Sequence, residues 1–297
     1  MEKIIDLHIH TICSDGQKTP FEIIDIARDR KIDTISITDH DTVDAYTDEL
    51  IEYAKKNNVN LIPGVEISTR NNKCGIHVLG YNYDLKNNNF RNKLAELRNN
   101  RHKYLFDVAK KLNELGYIVN VDELDKVESV TKAHISLDII GNEKNHDLLM
   151  KEFGHIPSRG EFIETIMNEG CSAYVKKETV TPKEASELIK SAGGKVVLAH
   201  PVAYINEDGL TEKEILDIIN DMKVDGIESY YVYINKNNEK IEDIMRWVKF
   251  ADDNGLFKTI GSDFHNEDNI HPTIGLLNEN INISTEEVNR IIDNISN

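Results

Sequence analysis

The chain has 297 residues, of which 39% are hydrophobic and 29% charged, and its formal net charge is −17. That length supports one large domain, or a domain with a smaller companion, around a sizeable core. The charge excludes the basic face that a duplex nucleic-acid binder presents, and no apolar run approaches the roughly 20 residues that span a bilayer. There are three cysteines, Cys13, Cys74 and Cys171, and no C-x-x-C, which excludes a disulfide framework and a zinc knuckle. The N-terminal "KIIDLHIH" lacks the basic, apolar and cleavage regions of a secretory leader, so a cytoplasmic location is expected.

Taken in order, "IIDLHIH" reads as a strand and "TPFEIIDIARDRKI" as a helix, with Thr19 at the N-cap, Pro20 first in the helix and Glu22 three residues after the cap. "DTISITDH" is a second strand, "DAYTDELIEYAKKNN" a second helix, and "NLIPGVEIS" and "GIHVLGYNY" two further strands. From about Asn92 to Tyr174 the strand signal fades. A long charged helical pattern, "FRNKLAELRNNRHKYLFDVAKKLNELG", is followed there by several shorter helices. Beyond it "TPKEASELIKSAGG" repeats the Thr-Pro helix start. Then follow strand "KVVLAHP", helix "TEKEILDIINDMKV", strand "GIESYYV", helix "NEKIEDIMRWVKFADDNG", strand "FKTIGSDFH" and helix "STEEVNRIIDNIS". Alternation of this kind predicts parallel strands with helical crossovers. Six or seven such strands suit a closed or nearly closed barrel of class α/β, built from residues 1–92 and 175–297, with residues 93–174 as a helical insertion.

Polar residues of one chemical kind fall at the strand ends. His8 and His10 are two apart on a strand, so both side chains point to one face. Asp15 follows in a turn. The second strand ends in "TDHD" (His40) and the third in "PGVE" (Glu66). The fourth begins "GIHVLG" (His77), a later one ends in "LAHP" (His200), and the last ends in "GSDFH" (Asp263 and His265). With 11 histidines in the chain, chance gives about 0.4 H-x-H pairs, so no single element carries weight alone. Order, spacing and strand-end placement agree only when the set is taken together. In a parallel barrel those ends share one rim, and imidazole with carboxylate is the donor set that zinc, manganese and iron accept. Bound divalent ions also reconcile an acidic chain with an anionic substrate.

The segments "DLHIHT", "ITDHD", "AHP" and "GSDFH" resemble the four motifs of the polymerase and histidinol phosphatase (PHP) family of metal-dependent phosphoesterases. "PGVEIS" and "HVLGYN", with the insertion, are similar to the subfamily that dephosphorylates nucleoside 3′,5′-bisphosphates and trims short RNA from the 5′ end. The resemblance implies a distorted (β/α)7 TIM-like barrel with two or three divalent ions, usually manganese, iron or zinc. Its ligand sets fall here on His8, His10, Glu66 and Asp263; on Glu66, His77 and His200; and on Asp15, His40 and His265. It implies hydrolysis of a phosphate ester by metal-bound hydroxide, with His200 or His134 assisting the leaving oxygen. In the insertion, "VTKAHIS" stands where an Arg-x-His phosphate grip is expected. Lys132 replaces the arginine there and His134 keeps the histidine. Arg159, Lys176 and Lys177 could add phosphate contacts. The expected partner is a small phosphorylated nucleotide or a short oligonucleotide, with no duplex and no membrane. Histidinol phosphate as substrate, an exonuclease of the polymerase-attached type, an amidohydrolase and a non-catalytic metal-stabilised binding module are the rival readings.

Overall fold

A computed structural model describes residues 3–127, 130–176, 178–235, 239–267, 272–275, 281 and 283–296. The chain divides into two compact units, one of Met1–Leu94 with Val180–Asn297, the other of Ala95–Thr179.

In the first unit, β1 (Ile5–Ile9), β2 (Thr34–Ile37) and β3 (Asn60–Leu61) form one parallel sheet in that order. A second sheet runs β10-β7-β6-β5-β4, from Phe257–Ile260, Gly226–Tyr230, Lys195–Leu198, Gly75–Tyr81 and Gly64–Arg70. A short antiparallel pair, β8 (Tyr233–Ile234) and β9 (Lys240–Ile241), completes the strands among the described residues. Helices α1 (Pro20–Asp29), α8 (Pro182–Ser191) and α10 (Glu212–Met222) each start with a reciprocal capping box: Thr19 with Glu22, Thr181 with Glu184, Thr211 with Glu214. Each box satisfies backbone donors that the first helical turn leaves without partners.

Two features depart from a wholly parallel barrel. Strand β5 is antiparallel to both β4 and β6, because only four residues separate Arg70 from Gly75. A parallel crossover needs a dozen residues or more, so this connection is a hairpin. The ladders also do not close continuously among the described residues. The two larger sheets meet at single bridges, Ile9 to Phe264 and His40 to Glu66. Between β2 and β4 the Tyr46 hydroxyl does part of a ladder's work. It accepts from Ile37 N (3.1 Å) and Gly64 N (2.8 Å), and it lies 2.7 Å from Ile37 O and 2.9 Å from Ile62 O, to one of which it donates. Gly64 is required at this approach: a Cβ there would lie 2.1 Å from Ser36 Oγ.

The core of this unit gathers Ile5, Leu7, Leu79, Tyr81, Val197 and Ile260, among others. Leu7 O receives the buried Tyr81 hydroxyl at 2.8 Å.

The second unit is helical. It holds most of α3 (Asn88–Glu114), then α4 (Val121–Leu124), α5 (Lys132–Gly141), α6 (His146–Phe153) and α7 (Arg159–Phe162) around a core that includes Leu105, Leu112, Ile139 and Phe162. Among the described residues no helix is long and apolar enough to cross a membrane.

Candidate metal centre

β1 alternates its side chains, so Ile5, Leu7 and Ile9 fall on one face and His8 and His10 on the other. Both histidines are fully buried, and their Nε2 atoms lie 3.1 Å apart. The bridge from His40 to Glu66 brings the end of β2 against β4. Glu66 is then the hub. Its Oε2 lies 3.3 Å from His8 Nε2, 3.2 Å from His10 Nε2 and 3.2 Å from His40 Nδ1. Its Oε1 lies 3.0 Å from His77 Nδ1 and 3.2 Å from His200 Nε2. Five imidazoles therefore converge on one carboxylate that is 1% exposed.

Asp263, after β10, places Oδ1 3.3 Å from His8 Nε2 and 3.2 Å from His10 Nε2. Asp15 lies 3.5 Å from His10 Nδ1, 3.6 Å from His40 Nε2 and 3.4 Å from His265 Nε2. All nine side chains expected from the strand ends thus meet in one cluster. His77 reaches it from the start of its strand because β5 runs opposite to its neighbours, which puts its beginning beside their ends.

Three groups of donor atoms lie within 4.8 Å of one another: His8, His10, Glu66 and Asp263; His40, Glu66 and His77; and His10, Asp15, His40 and His265. This grouping differs from that implied by the resemblance in two respects. His10 joins the Asp15 group, and His40 completes the set that His200 was expected to complete.

Burial raises the carboxylates, yet the imidazoles outweigh it. His77, His40 and His8 hold Glu66 well below the usual carboxylate range. His8 and His10 do the same for Asp263, and His40 for Asp15. Burial opposes a charge on His10, but hydrogen bonds to Asp263 and Glu66 push it up to about 10. His40 goes the other way: burial drives it well below the ordinary value, and His10 and His77 add to the effect. Burial and charge repulsion thus compete across one small volume. A divalent cation would relieve both by replacing protons with a single positive centre.

The residues present fit such an ion. Every ion-pair partner of Asp15, Glu66 and Asp263 among the described residues is a histidine, so no lysine or arginine neutralises the carboxylates. His200 turns Nε2 toward Glu66 and leaves its buried Nδ1 without a hydrogen-bond partner among the described residues. Backbone strain collects here as well: Asp41, His200 and Asp263 have φ of +52°, +24° and +54°.

Four further residues, absent from the sequence reading, support the cluster. Asp39 accepts from Thr11 N, Thr11 Oγ1 and Ser14 Oγ, each at 2.7 Å, and so anchors the loop that carries Asp15. Asp6 accepts from Ser262 N (3.0 Å) and Gly275 N (2.8 Å), tying β1 to the segment after β10. Glu228, on β7, lies 3.0 Å from His8 Nδ1 and accepts from His200 N at 2.8 Å. Tyr231 donates to Asp263 Oδ2 at 3.1 Å. The available signal was a carboxylate inside an apolar strand, as in "IIDLHIH" and "GIESYY".

The cluster opens onto a pocket of about 370 Å³, walled by His40, Glu66, His77, His200, Asp263 and His265 and flanked by Tyr204, Tyr231, Tyr233, Glu207 and Asp208. That volume suits a small ligand. Cys13 is half-buried, and its amide donates to Thr11 Oγ1.

The expected substrate contacts belong to the second unit. Lys132 opens α5, and its Nζ donates to Asn168 Oδ1 at 2.9 Å. His134 serves the helix cap: Thr131 N donates to its Nδ1 at 3.2 Å. Arg159 begins α7, and Lys176 lies in a loop. Lys177 falls outside the described residues.

An α/β fold with imidazole and carboxylate donors on one pocket is the build of a metal-dependent hydrolase. Residues 6–274 match the PHP domain, and the chain belongs to that family of metal-dependent phosphoesterases. It is 31% identical over 270 residues to a 5′-3′ exoribonuclease of Haemophilus influenzae, an alignment covering 89% of this chain and 91% of that protein. It is 26% identical over 265 residues to a 3′,5′-nucleoside bisphosphate phosphatase of Chromobacterium violaceum, covering 88% and 87% respectively. In fold it is similar to a crystal structure from Bifidobacterium adolescentis, described provisionally as a metal-dependent phosphoesterase. The TM-score is 0.69 at 22% identity, over 98% of this chain and 96% of that one.

Proposed function

We propose that His8, His10, Asp15, His40, Glu66, His77, His200, Asp263 and His265 hold two or three divalent ions, of manganese, iron or zinc. The enzyme then hydrolyses a phosphate ester of a small nucleotide: a nucleoside 3′,5′-bisphosphate to its 5′-monophosphate, or a short 5′-phosphorylated oligoribonucleotide. The observation that carries this is the convergence of five histidines on the buried Glu66 at 3.0–3.3 Å. The substrate class is supported by the printed activities of the Haemophilus and Chromobacterium relatives.

Divalent ions supply Lewis acidity, polarising a phosphoryl oxygen and acidifying water. The chain's own part is to fix the donors. Glu66 and Asp263 carry negative charge into a buried site, and Asp39 and Asp6 clamp the loops that bear Asp15 and Asp263. Lys132 and His134 are proposed as phosphate contacts, and His200 or His134 as the carrier of a proton to the leaving oxygen. The acidic chain disfavours long duplex nucleic acid.

The test is phosphate release by the manganese-loaded protein from adenosine 3′,5′-bisphosphate, a 5′-phosphorylated RNA trinucleotide and histidinol phosphate, with His10→Ala as control. Release from either nucleotide substrate, lost in the control, is the expected outcome. Preference for histidinol phosphate overturns the substrate class and leaves the metal centre standing. Inertness toward all three with ions bound brings forward the non-catalytic binding module.

A further inference from the structure

Glu228 stands apart from the nine donors, yet it touches two of them. It sits on β7, between β6, which leads to His200, and β10, which leads to Asp263. Its side chain is fully buried. Oε1 lies 3.0 Å from His8 Nδ1, and Oε2 accepts the backbone N–H of His200 at 2.8 Å.

We infer that Glu228 is a positioning residue of the metal centre: it fixes the tautomer and aim of His8 and pins the backbone that presents His200. This inference rests on the reading of the nine side chains as metal ligands. A carboxylate only accepts hydrogen bonds, so His8 donates from Nδ1. Once an ion displaces the proton on Nε2, the lone pair there would face Glu66, Asp263 and His10, where the ion would lie. A ligating histidine whose other ring N–H is held by a carboxylate is oriented and made more basic by it. The second arm acts on strain. His200 has φ of +24°, a sparsely populated conformation for a residue with a Cβ, and such a conformation persists only where its surroundings over-determine it. The hydrogen bond to Glu228 Oε2 is such a restraint.

Gly261 carries an independent mark of the same arrangement. A Cβ at that position would lie 2.2 Å from His8 Cβ and 2.4 Å from Glu228 Oε1. The first residue of "GSDFH" therefore leaves room for the carboxylate to reach the imidazole, a requirement distinct from the ligand roles of Asp263 and His265.

The experiment is Mn²⁺ affinity by chelator competition for wild type, Glu228→Gln, Glu228→Asp and His10→Ala. Circular dichroism melts and the visible spectra of the Co²⁺-loaded proteins are recorded alongside. Gln keeps the volume but cannot accept from both partners. The expected result is about ten- to a hundredfold weaker Mn²⁺ binding, shifted Co²⁺ bands and an unchanged circular dichroism spectrum. Affinity within about twofold of wild type, with the same Co²⁺ bands, overturns the inference. Where the Gln variant does not fold, Glu228→Asp decides: it keeps the charge and shortens the reach, so a similar loss supports the role and full affinity refutes it. If wild type itself takes up no Mn²⁺, the metal-centre reading falls, and the role of Glu228 falls with it. If wild type binds and Glu228→Gln binds equally, only the Glu228 role falls.

Discussion

Replacing Glu66 by Gln tests the hub of the site while keeping its shape. The carboxylate is 1% exposed, and five imidazole nitrogens lie within 3.0–3.3 Å of its oxygens. Removing one partner from a buried charged network costs about 3–5 kcal/mol. At about 1.36 kcal/mol per factor of ten, that is roughly a hundredfold to ten-thousandfold in ion affinity or rate. The loss is not spread evenly. Glu66 belongs to two of the three donor groups, whereas His10, Asp15, His40 and His265 form theirs without it. The variant should therefore retain at most one ion per chain and release phosphate at least about a hundredfold more slowly at saturating Mn²⁺. Metal content by mass spectrometry of the gel-filtered protein, paired with the phosphate assay, reads both effects. A Glu66→Gln protein that holds as many ions as wild type and works within about tenfold of its rate refutes the reasoning.

Tyr46→Phe should lower the unfolding free energy by about 1–3 kcal/mol in urea, because the buried amides of Ile37 and Gly64 lose their acceptor; an unchanged midpoint contradicts the role given to this hydroxyl. Asp39→Ala should cost a similar amount and weaken Mn²⁺ binding, since Thr11 and Ser14 lose their shared partner; calorimetry with and without ions checks both. The metal-stripped protein should show a distinctive pH dependence. Burial opposes charge on His10, but Asp263 and Glu66 raise it from 6.5 to about 10, and His8, His200 and His265 are also raised. A raised histidine contributes stability that is fully present below about 6.5 and lost as pH rises through its folded value. The depressed Asp15, Glu66 and Asp263 contribute stability above the usual carboxylate range and lose it in acid. The melting temperature of the chelated protein should thus fall from about pH 6.5 toward about pH 10. Mn²⁺ should stabilise more strongly as pH rises, because binding displaces those protons. A flat profile over that range counts against the electrostatic account.

The nine donors were legible because imidazoles and carboxylates stand out against apolar strands, and because most fall near where such a strand stops or starts; Asp15 lies in the turn beyond β1, and Glu66, read as ending its strand, lies inside β4, which continues to Arg70. The direction of β5 was not read, since period-two alternation in "GIHVLGY" is the same in both directions. Only the four-residue connection after Arg70 marks the hairpin. The single bridges between the two larger sheets are backbone contacts between residues far apart in the chain, and the Tyr46 hydroxyl between β2 and β4 arrives from a loop; no strand pattern encodes either. Glu228, Asp6 and Asp39 escaped for a related reason. A lone carboxylate in a strand, or just past one as Asp39 is, has no partner in sequence, and its meaning comes from His8, Gly275 or Thr11 across the fold. The capping boxes, by contrast, are local, and Thr19, Pro20 and Glu22 announced theirs directly.

The most direct test of the central claim is anomalous diffraction from crystals grown with Mn²⁺. The account predicts two or three peaks within coordination distance of the nine side chains, one of them between Glu66 and the His8–His10 pair. Crystals saturated with Mn²⁺ that show no peak at Glu66 would contradict it.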